Sequence, residues 1–165
     1  TGGVRLQEAN LGLAAIAEIH AAIVDLRQYQ PVIGVIAGSV GCFGGMSISA
    51  GLCSYLVVTQ EARLGLNGPL VIEQEAGVEE YDSRDRPFIW SLTGGEQRVA
   101  CQLADRYVAD EVSQIRSEVS ALLQQGLPPV PRSQQSGYYL QRLKALDTTA
   151  PIDPATVRHL YQGER

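Results

Sequence analysis

Between residues 11 and 29 the apolar side chains Leu13, Ile16, Ile19, Ile23 and Leu26 recur every three or four positions, while Glu18, Asp25 and Arg27 fall largely off that stripe. This spacing lines one face of a 3.6-residue turn and predicts a long amphipathic helix. Pro31 ends it, because its ring removes a backbone donor and clashes with the preceding turn. The run Val32-Ile33-Gly34-Val35-Ile36-Ala37 is continuously apolar and partly β-branched, the pattern of an interior parallel strand covered on both faces. A loop of small residues, 38–43, leads into a helix over 45–53. Two further strands are expected at 55–59 and 62–66, then a turn at Asn67-Gly68-Pro69 and a helix over 70–74.

Beyond residue 76 the pattern changes. Residues 77–86 are polar and acidic, and Thr93-Gly94-Gly95 precedes what reads as one long helix over 96–123. Gly126-Leu127-Pro128-Pro129-Val130-Pro131 stops it, and two weaker helices are expected near 138–146 and 154–161. Helix alternating with strand implies an α/β layer arrangement with crossover connections, and no internal repeat suggests a solenoid. Residues 1–125 are expected to form the core, and 126–165 a polar linker with a helical tail.

Composition narrows the class. A chain of 165 residues with 45% hydrophobic content can bury one sizeable core. Its net charge is -5 and its one lysine is Lys144, so a nucleic-acid partner is not expected. Neither a leader-like segment nor a spanning stretch of roughly 20 uncharged apolar residues is evident, which points to a soluble, cytoplasmic chain with no membrane partner. Cys42, Cys53 and Cys101 lack paired metal spacing and read as reduced thiols, without metal or disulfide. The chain opens at Thr1 inside what reads as a strand-to-helix turn, so earlier strands are expected to precede it.

Two glycine pairs, Gly2-Gly3 and Gly44-Gly45, each stand just ahead of a helical stretch. Amides at a helix N-terminus lack intrahelical acceptors and lie at the positive end of the dipole, and glycine permits close approach of a bulky acyl group. The pairs therefore suit the two halves of an oxyanion hole for a thioester carbonyl. Thr1-Gly2-Gly3-Val4-Arg5-Leu6-Gln7-Glu8, Phe43-Gly44-Gly45-Met46-Ser47-Ile48-Ser49 and Ala62-Arg63-Leu64-Gly65-Leu66-Asn67-Gly68-Pro69-Leu70-Val71-Ile72-Glu73-Gln74 resemble, in order, three blocks of the acyl-CoA carboxyltransferase branch of the crotonase superfamily. Including Gln74-Glu75-Ala76-Gly77-Val78-Glu79-Glu80-Tyr81-Asp82, the wording is most similar to the β-subunit family of biotin-independent malonate decarboxylases.

That resemblance implies a crotonase-like spiral α/β fold with a helical C-terminal region. It implies decarboxylation of a malonyl thioester, carried on the phosphopantetheine-type arm of an acyl carrier protein, to an acetyl thioester and CO2. It also implies a second crotonase-like (gamma) subunit as partner, no directly bound cofactor and no biotin. Carried across, the enolate oxygen would be held by amides within Gly2, Gly3, Gly44 and Gly45, and substrate contacts would come from Val4, Phe43, Met46, Asn67 and Gly68. Two other readings remain: the carboxyltransferase β subunit of a biotin-dependent acetyl-CoA carboxylase type complex, and a non-catalytic crotonase-like scaffold that binds an acyl carrier or a partner chain.

The remaining residues test that picture. Arg5, Gln7 and Glu8 read as a capped helix start with local ion pairs. Cys42 lies in a loop where some proteins of this fold place a nucleophile, but a thiol needs an activating base, and neither His20 nor His159 follows shortly after it. The hydratases of the superfamily use two glutamates, and the matching places hold Ile48 and the neighbourhood of Gly68, so hydration is disfavoured. Decarboxylation needs no base to begin, since the departing carboxylate supplies the electrons. Proton donors to the resulting carbanion include Glu73, Tyr81, water and a partner-chain group.

Overall fold

The computed structural model describes residues 5–147, 149 and 152–161. Its centre is a three-stranded parallel sheet in the order β1 (Ile33–Ile36), β2 (Tyr55–Thr59), β3 (Arg106–Val108). Ile33 pairs with Tyr55 and Val57 with Arg106, so the strands share one direction. All five residues of β2 are buried, as a central strand covered on both faces requires. Successive side chains of β2 go to opposite faces. Leu56 and Val58 pack with Ile36, Ala50 and Ile23, which places α1 (Ala9–Leu26) and α2 (Gly45–Leu52) on that face. Tyr55 and Val57 pack with Val108 and Leu122, which places α6 (Val112–Gln125) on the other.

Three expectations need correction. β1 was expected inside the sheet but is an edge strand among the described residues, and Val35 is 45% exposed. Residues 62–66 form no ladder strand: their extended backbone makes single bridges from Leu64 to Cys42 and from Arg63 to Gly94. The long helix is three elements, α5 (Gly95–Ala100), β3 and α6, preceded by α4 (Arg86–Thr93). The chain turns at Gln102, which adopts φ 59°, and Asp105 accepts a 2.7 Å hydrogen bond from the Leu56 amide, fixing the start of β3 beside β2. Gly95 belongs at the start of α5 because a Cβ there would lie 2.6 Å from the Thr59 carbonyl oxygen.

Among the described residues one helix, α1, is long and apolar enough to cross a membrane by length and composition, with 18 residues and mean hydropathy 1.4. It carries Glu18 and Asp25, so it is not an uncharged spanning stretch of the kind sought in the sequence. None of its residues is buried. The helices near 70–74, 138–146 and 154–161 are found as α3 (Pro69–Ala76), α7 (Ser136–Lys144) and α8 (Pro154–Tyr161). The segment after residue 126 packs on the α5–β3 corner: Tyr138 donates to the Gln102 side chain at 3.0 Å, Gln97 donates to the Pro154 carbonyl at 3.0 Å, and Tyr161 is buried.

Candidate functional site

β1 leads through residue 37 into a loop whose glycines hold left-handed conformations: Gly38 at φ 74°, Gly41 at 87° and Gly44 at 62°. A residue with a Cβ is strained there, so the loop's path depends on glycine. Gly44 caps α2, and the loop is zipped to residues 63–66. Cys42 N–H donates to the Arg63 carbonyl at 2.8 Å, Gly65 N–H to the Cys42 carbonyl at 3.2 Å, and Gly44 N–H to the Leu66 carbonyl at 2.7 Å. These bonds bring Phe43, Gly44 and Gly45 beside Asn67 and Gly68, the cap of α3, far apart in sequence.

The same bonds separate the two amides of the second glycine pair. Gly44 N–H is engaged by Leu66, whereas Gly45 is the first residue of α2, and no backbone acceptor takes its N–H among the described residues. The Gly45 carbonyl is held as well. It accepts from the Ser49 hydroxyl at 3.1 Å, and His20 Nε2 lies 3.4 Å away. A carbonyl can only accept, so that contact is a hydrogen bond when Nε2 carries the proton. Ile16, one turn before His20, stands over Gly45: a Cβ there would lie 2.6 Å from its Cδ1. α1 thus covers the first turn of α2.

Arg63 fastens the loop from outside. Its Nη2 donates to the Ser39 carbonyl at 2.5 Å and the Val40 carbonyl at 3.2 Å, and its guanidinium lies over the rings of Phe43 and Trp90 at 5.6 and 4.5 Å. Sequence reasoning passed over Arg63, because nothing local marks it; its partners lie 20 or more residues away. Asp110 holds the start of the loop, accepting from Gly38 N–H at 3.3 Å, Glu61 N–H at 2.8 Å and the Thr59 hydroxyl. Burial raises its carboxyl, but the hydrogen bonds, led by that of Thr59, outweigh it and hold the group below the usual aspartate range.

Met46 borders an apolar groove of about 340 Å3 between α1 and β1, with Ile19, Ile23, Val35, Gly41 and Cys42. Burial pushes the Cys42 thiol up, which keeps it protonated and un-nucleophilic. Gly2, Gly3 and Val4 lie outside the described residues. Arg5 and Glu8 form the expected local ion pair, exposed and i,i+3 at 3.9 Å, but the expected cap is not made: Glu8, at the N-cap of α1, makes no side-chain capping hydrogen bond.

Of the proton donors considered, Glu73 is the poorest. The Ser83 hydroxyl and backbone N–H, the latter at 2.7 Å, hold its carboxyl below the usual range, so it is ionised near neutrality. Tyr81 differs: burial pushes its phenol up, its hydroxyl has no hydrogen-bond partner among the described residues, and Arg98 and Arg63 are the charges that act on it.

No family model matches the chain. It is 41% identical over 130 residues to the malonyl-S-ACP:biotin-protein carboxyltransferase MADC of Malonomonas rubra, covering 79% of this chain and 41% of that protein. It superposes with TM-score 0.92 and 70% identity on a chain of a Pseudomonas malonate decarboxylase hetero-tetramer solved with malonate, over 98% of this chain and 58% of that one. A transcarboxylase 12S structure, solved with methylmalonyl-coenzyme A and methylmalonic acid, matches at 29% identity and TM-score 0.61 over 74% of this chain and 22% of that one. The chain therefore spans about half the length of these first relatives, or less, and it has their crotonase-like α/β fold.

Proposed function

We propose, from the premise that the chain belongs to the malonate decarboxylase family within the acyl-CoA carboxyltransferase branch of the crotonase superfamily, that it decarboxylates a malonyl thioester. The observation that carries this reading is the Gly45 N–H: it stands without a backbone acceptor among the described residues at the start of α2, held there by the positive-φ Gly44. The thioester oxygen lies against this donor. As the bond between the α carbon and the carboxylate breaks, its electron pair moves into the thioester, the oxygen gains negative charge, and CO2 departs. The Gly45 N–H binds that oxygen more strongly in the enolate than in the substrate, which lowers the barrier. The second donor comes from Gly2 or Gly3. The α carbon then takes one proton and becomes the methyl group of an acetyl thioester.

The residues around the loop position and shield this donor. Arg63 and Asp110 fix the loop's path, Ile16 and His20 of α1 cover the first turn of α2, and Met46, Phe43, Asn67 and Gly68 border the approach. Buried Tyr81 remains protonated and is a better proton source than Glu73. The thioester arrives on the phosphopantetheine-type arm of an acyl carrier protein, no biotin takes part, and a second crotonase-like (gamma) subunit completes the site. The hetero-tetrameric relative solved with malonate supports the partner and the substrate. The reading places the complex in the cytoplasm, where acyl carriers work.

A second reading has its own support, since the Malonomonas rubra relative is a carboxyltransferase to a biotin protein. The reconstituted complex, given malonyl-S-acyl carrier protein with and without avidin, separates the two. CO2 release that persists with avidin is the expected result. Release abolished by avidin establishes carboxyl transfer to biotin, and absence of release under both conditions establishes a non-catalytic scaffold.

A further inference from the structure

We propose that the cavity at the opposite end of the sheet is a second ligand site, built for a small molecule bearing a carboxylate or phosphate group. The glycine loop follows the C-terminal end of β1, whereas this cavity of about 580 Å3 opens where β2 and β3 begin, at Ser54, Tyr55, Asp105 and Arg106. Its far wall is the proline-rich segment after α6, with Pro129, Arg132 and Tyr138.

Two of its wall residues carry polar atoms without partners. Arg132 is only 9% exposed; its Nη2 donates to Asp105 Oδ2 at 2.5 Å, but its Nε and Nη1 have no acceptor among the described residues. The buried hydroxyl of Tyr55 has none either. An unmade hydrogen bond of a buried donor is costly, and more so for a charged group, so a site that keeps three such atoms favours whatever supplies their partners. Arginine N–H groups only donate, and the phenol hydroxyl readily does so; the complementary ligand therefore presents acceptor oxygens.

The ion pairs refine this. Asp105 Oδ2 is shared between Arg132 and the Leu56 amide, while Arg106 points its Nε at Glu118, 3.2 Å away on half-exposed α6. Each guanidinium is thus paired with one carboxylate, and it is the two N–H groups left over on Arg132, not a surplus of positive charge, that select a ligand rich in acceptor oxygens. A metal cation finds one carboxylate opposed by two arginines. The unpartnered atoms are sealed from bulk water, so a ligand oxygen reaches them through a rotamer change of Arg132 or Tyr55. Once there it meets a low dielectric, in which a charge-assisted bidentate contact is strong. The apolar faces of Pro128, Pro129 and Val130 accommodate a short hydrocarbon body.

The test is titration of the full-length chain in its complex with inorganic phosphate and, separately, acetate, at constant ionic strength. Heat of binding and the Arg132 Nε–H proton resonance are the two readouts. We expect at least one probe to saturate and to shift that resonance. Saturation by phosphate alone identifies a phosphate ester as the ligand class, and saturation by acetate alone a carboxylate. Arg132→Gln weakens the dissociation constant by about tenfold or more and Tyr55→Phe by about threefold. Should Arg132→Gln fail to fold, Tyr55→Phe decides alone, since it removes one oxygen and leaves the ring. The proposal is overturned if neither probe saturates, if Tyr55→Phe binds like the parent, or if Gly44→Ala abolishes the binding, which would place the anion at the glycine loop.

Discussion

β2 and α1 are both rich in large aliphatic side chains, yet they end at opposite extremes of burial. Every residue of β2 is buried, and Val57 and Val58 are wholly inaccessible. No residue of α1 is buried, and Leu11, Leu13, Ile19 and Leu26 are 74, 65, 42 and 45% exposed. The sheet strand is covered by this chain's own helices on both faces. The helix sets Ile16, His20 and Ile23 against the described core and leaves Leu11, Leu13, Ile19 and Leu26 largely uncovered. Hydrophobic periodicity therefore reports that a face will be covered, not by what. The exposed side of α1 is an apolar surface that the described residues leave open.

The strongest way to break this contrast is in the core. Leu56→Ala, at 1% exposure on the face of β2 turned to α1 and α2, should destabilise the chain by about 2–5 kcal/mol, read from the denaturant midpoint at unchanged slope. A cost near zero would mean that β2 is no more a core than α1 is.

Arg63→Ala probes the region between the two extremes. It removes the bonds to the Ser39 and Val40 carbonyls and the packing on Phe43 and Trp90. Turnover should fall by about tenfold or more, a loss of about 1.4 kcal/mol, with little change in KM, and Arg63→Lys should restore only part, since an ammonium cannot reproduce the planar stack. A proportional rise in KM at constant kcat would instead assign Arg63 to binding.

The exposed face of α1 predicts a dissociation of stability from assembly. Leu13→Ser should leave the unfolding free energy of the isolated chain within about 0.5 kcal/mol, while weakening association with the partner subunit by about tenfold in sedimentation experiments. A large stability loss with unchanged association would invert the comparison.

The smallest effect is electrostatic. The folded-state pKa of Asp110 lies below its ordinary value, so its contribution to stability is present above that value, near pH 4, and is lost as pH falls through the folded one. Asp110→Asn should flatten that acid limb in pH-dependent unfolding while leaving the neutral-pH slope unchanged. An unaltered limb would remove Asp110 from the account of how the loop is held.

Much of this was legible in the sequence. The alternation of elements, α1, α2, β2, the turn at Asn67-Gly68-Pro69 and the three ordered glycine-rich blocks could all be read directly. β3 was not, because Arg106-Tyr107-Val108 is three residues long and lies between two helical patterns; tertiary bonds from Asp105 and pairing with β2 create it. The edge position of β1 was hidden for a related reason, since an apolar run looks the same whether another strand or another chain covers it. The site divides likewise. The glycine pair was visible, but the division of labour within it depends on the Leu66 carbonyl, 22 residues from Gly44, and on the positive φ of Gly44. Arg63 and Arg132 gave no local signal, because their roles are set by partners distant in sequence.

The central claim is that the Gly45 N–H stabilises the enolate. Proline is tolerated at the first position of a helix, so Gly45→Pro removes that donor, while Gly45→Ala keeps it and meets the same Ile16 side chain. The rate of CO2 release from malonyl-S-acyl carrier protein, compared between these two variants in the assembled complex, is the most direct test. Loss of one such donor is worth about 2.7–4 kcal/mol, so Gly45→Pro should turn over about 100- to 1,000-fold more slowly than Gly45→Ala. Equal rates for the two variants would contradict the account.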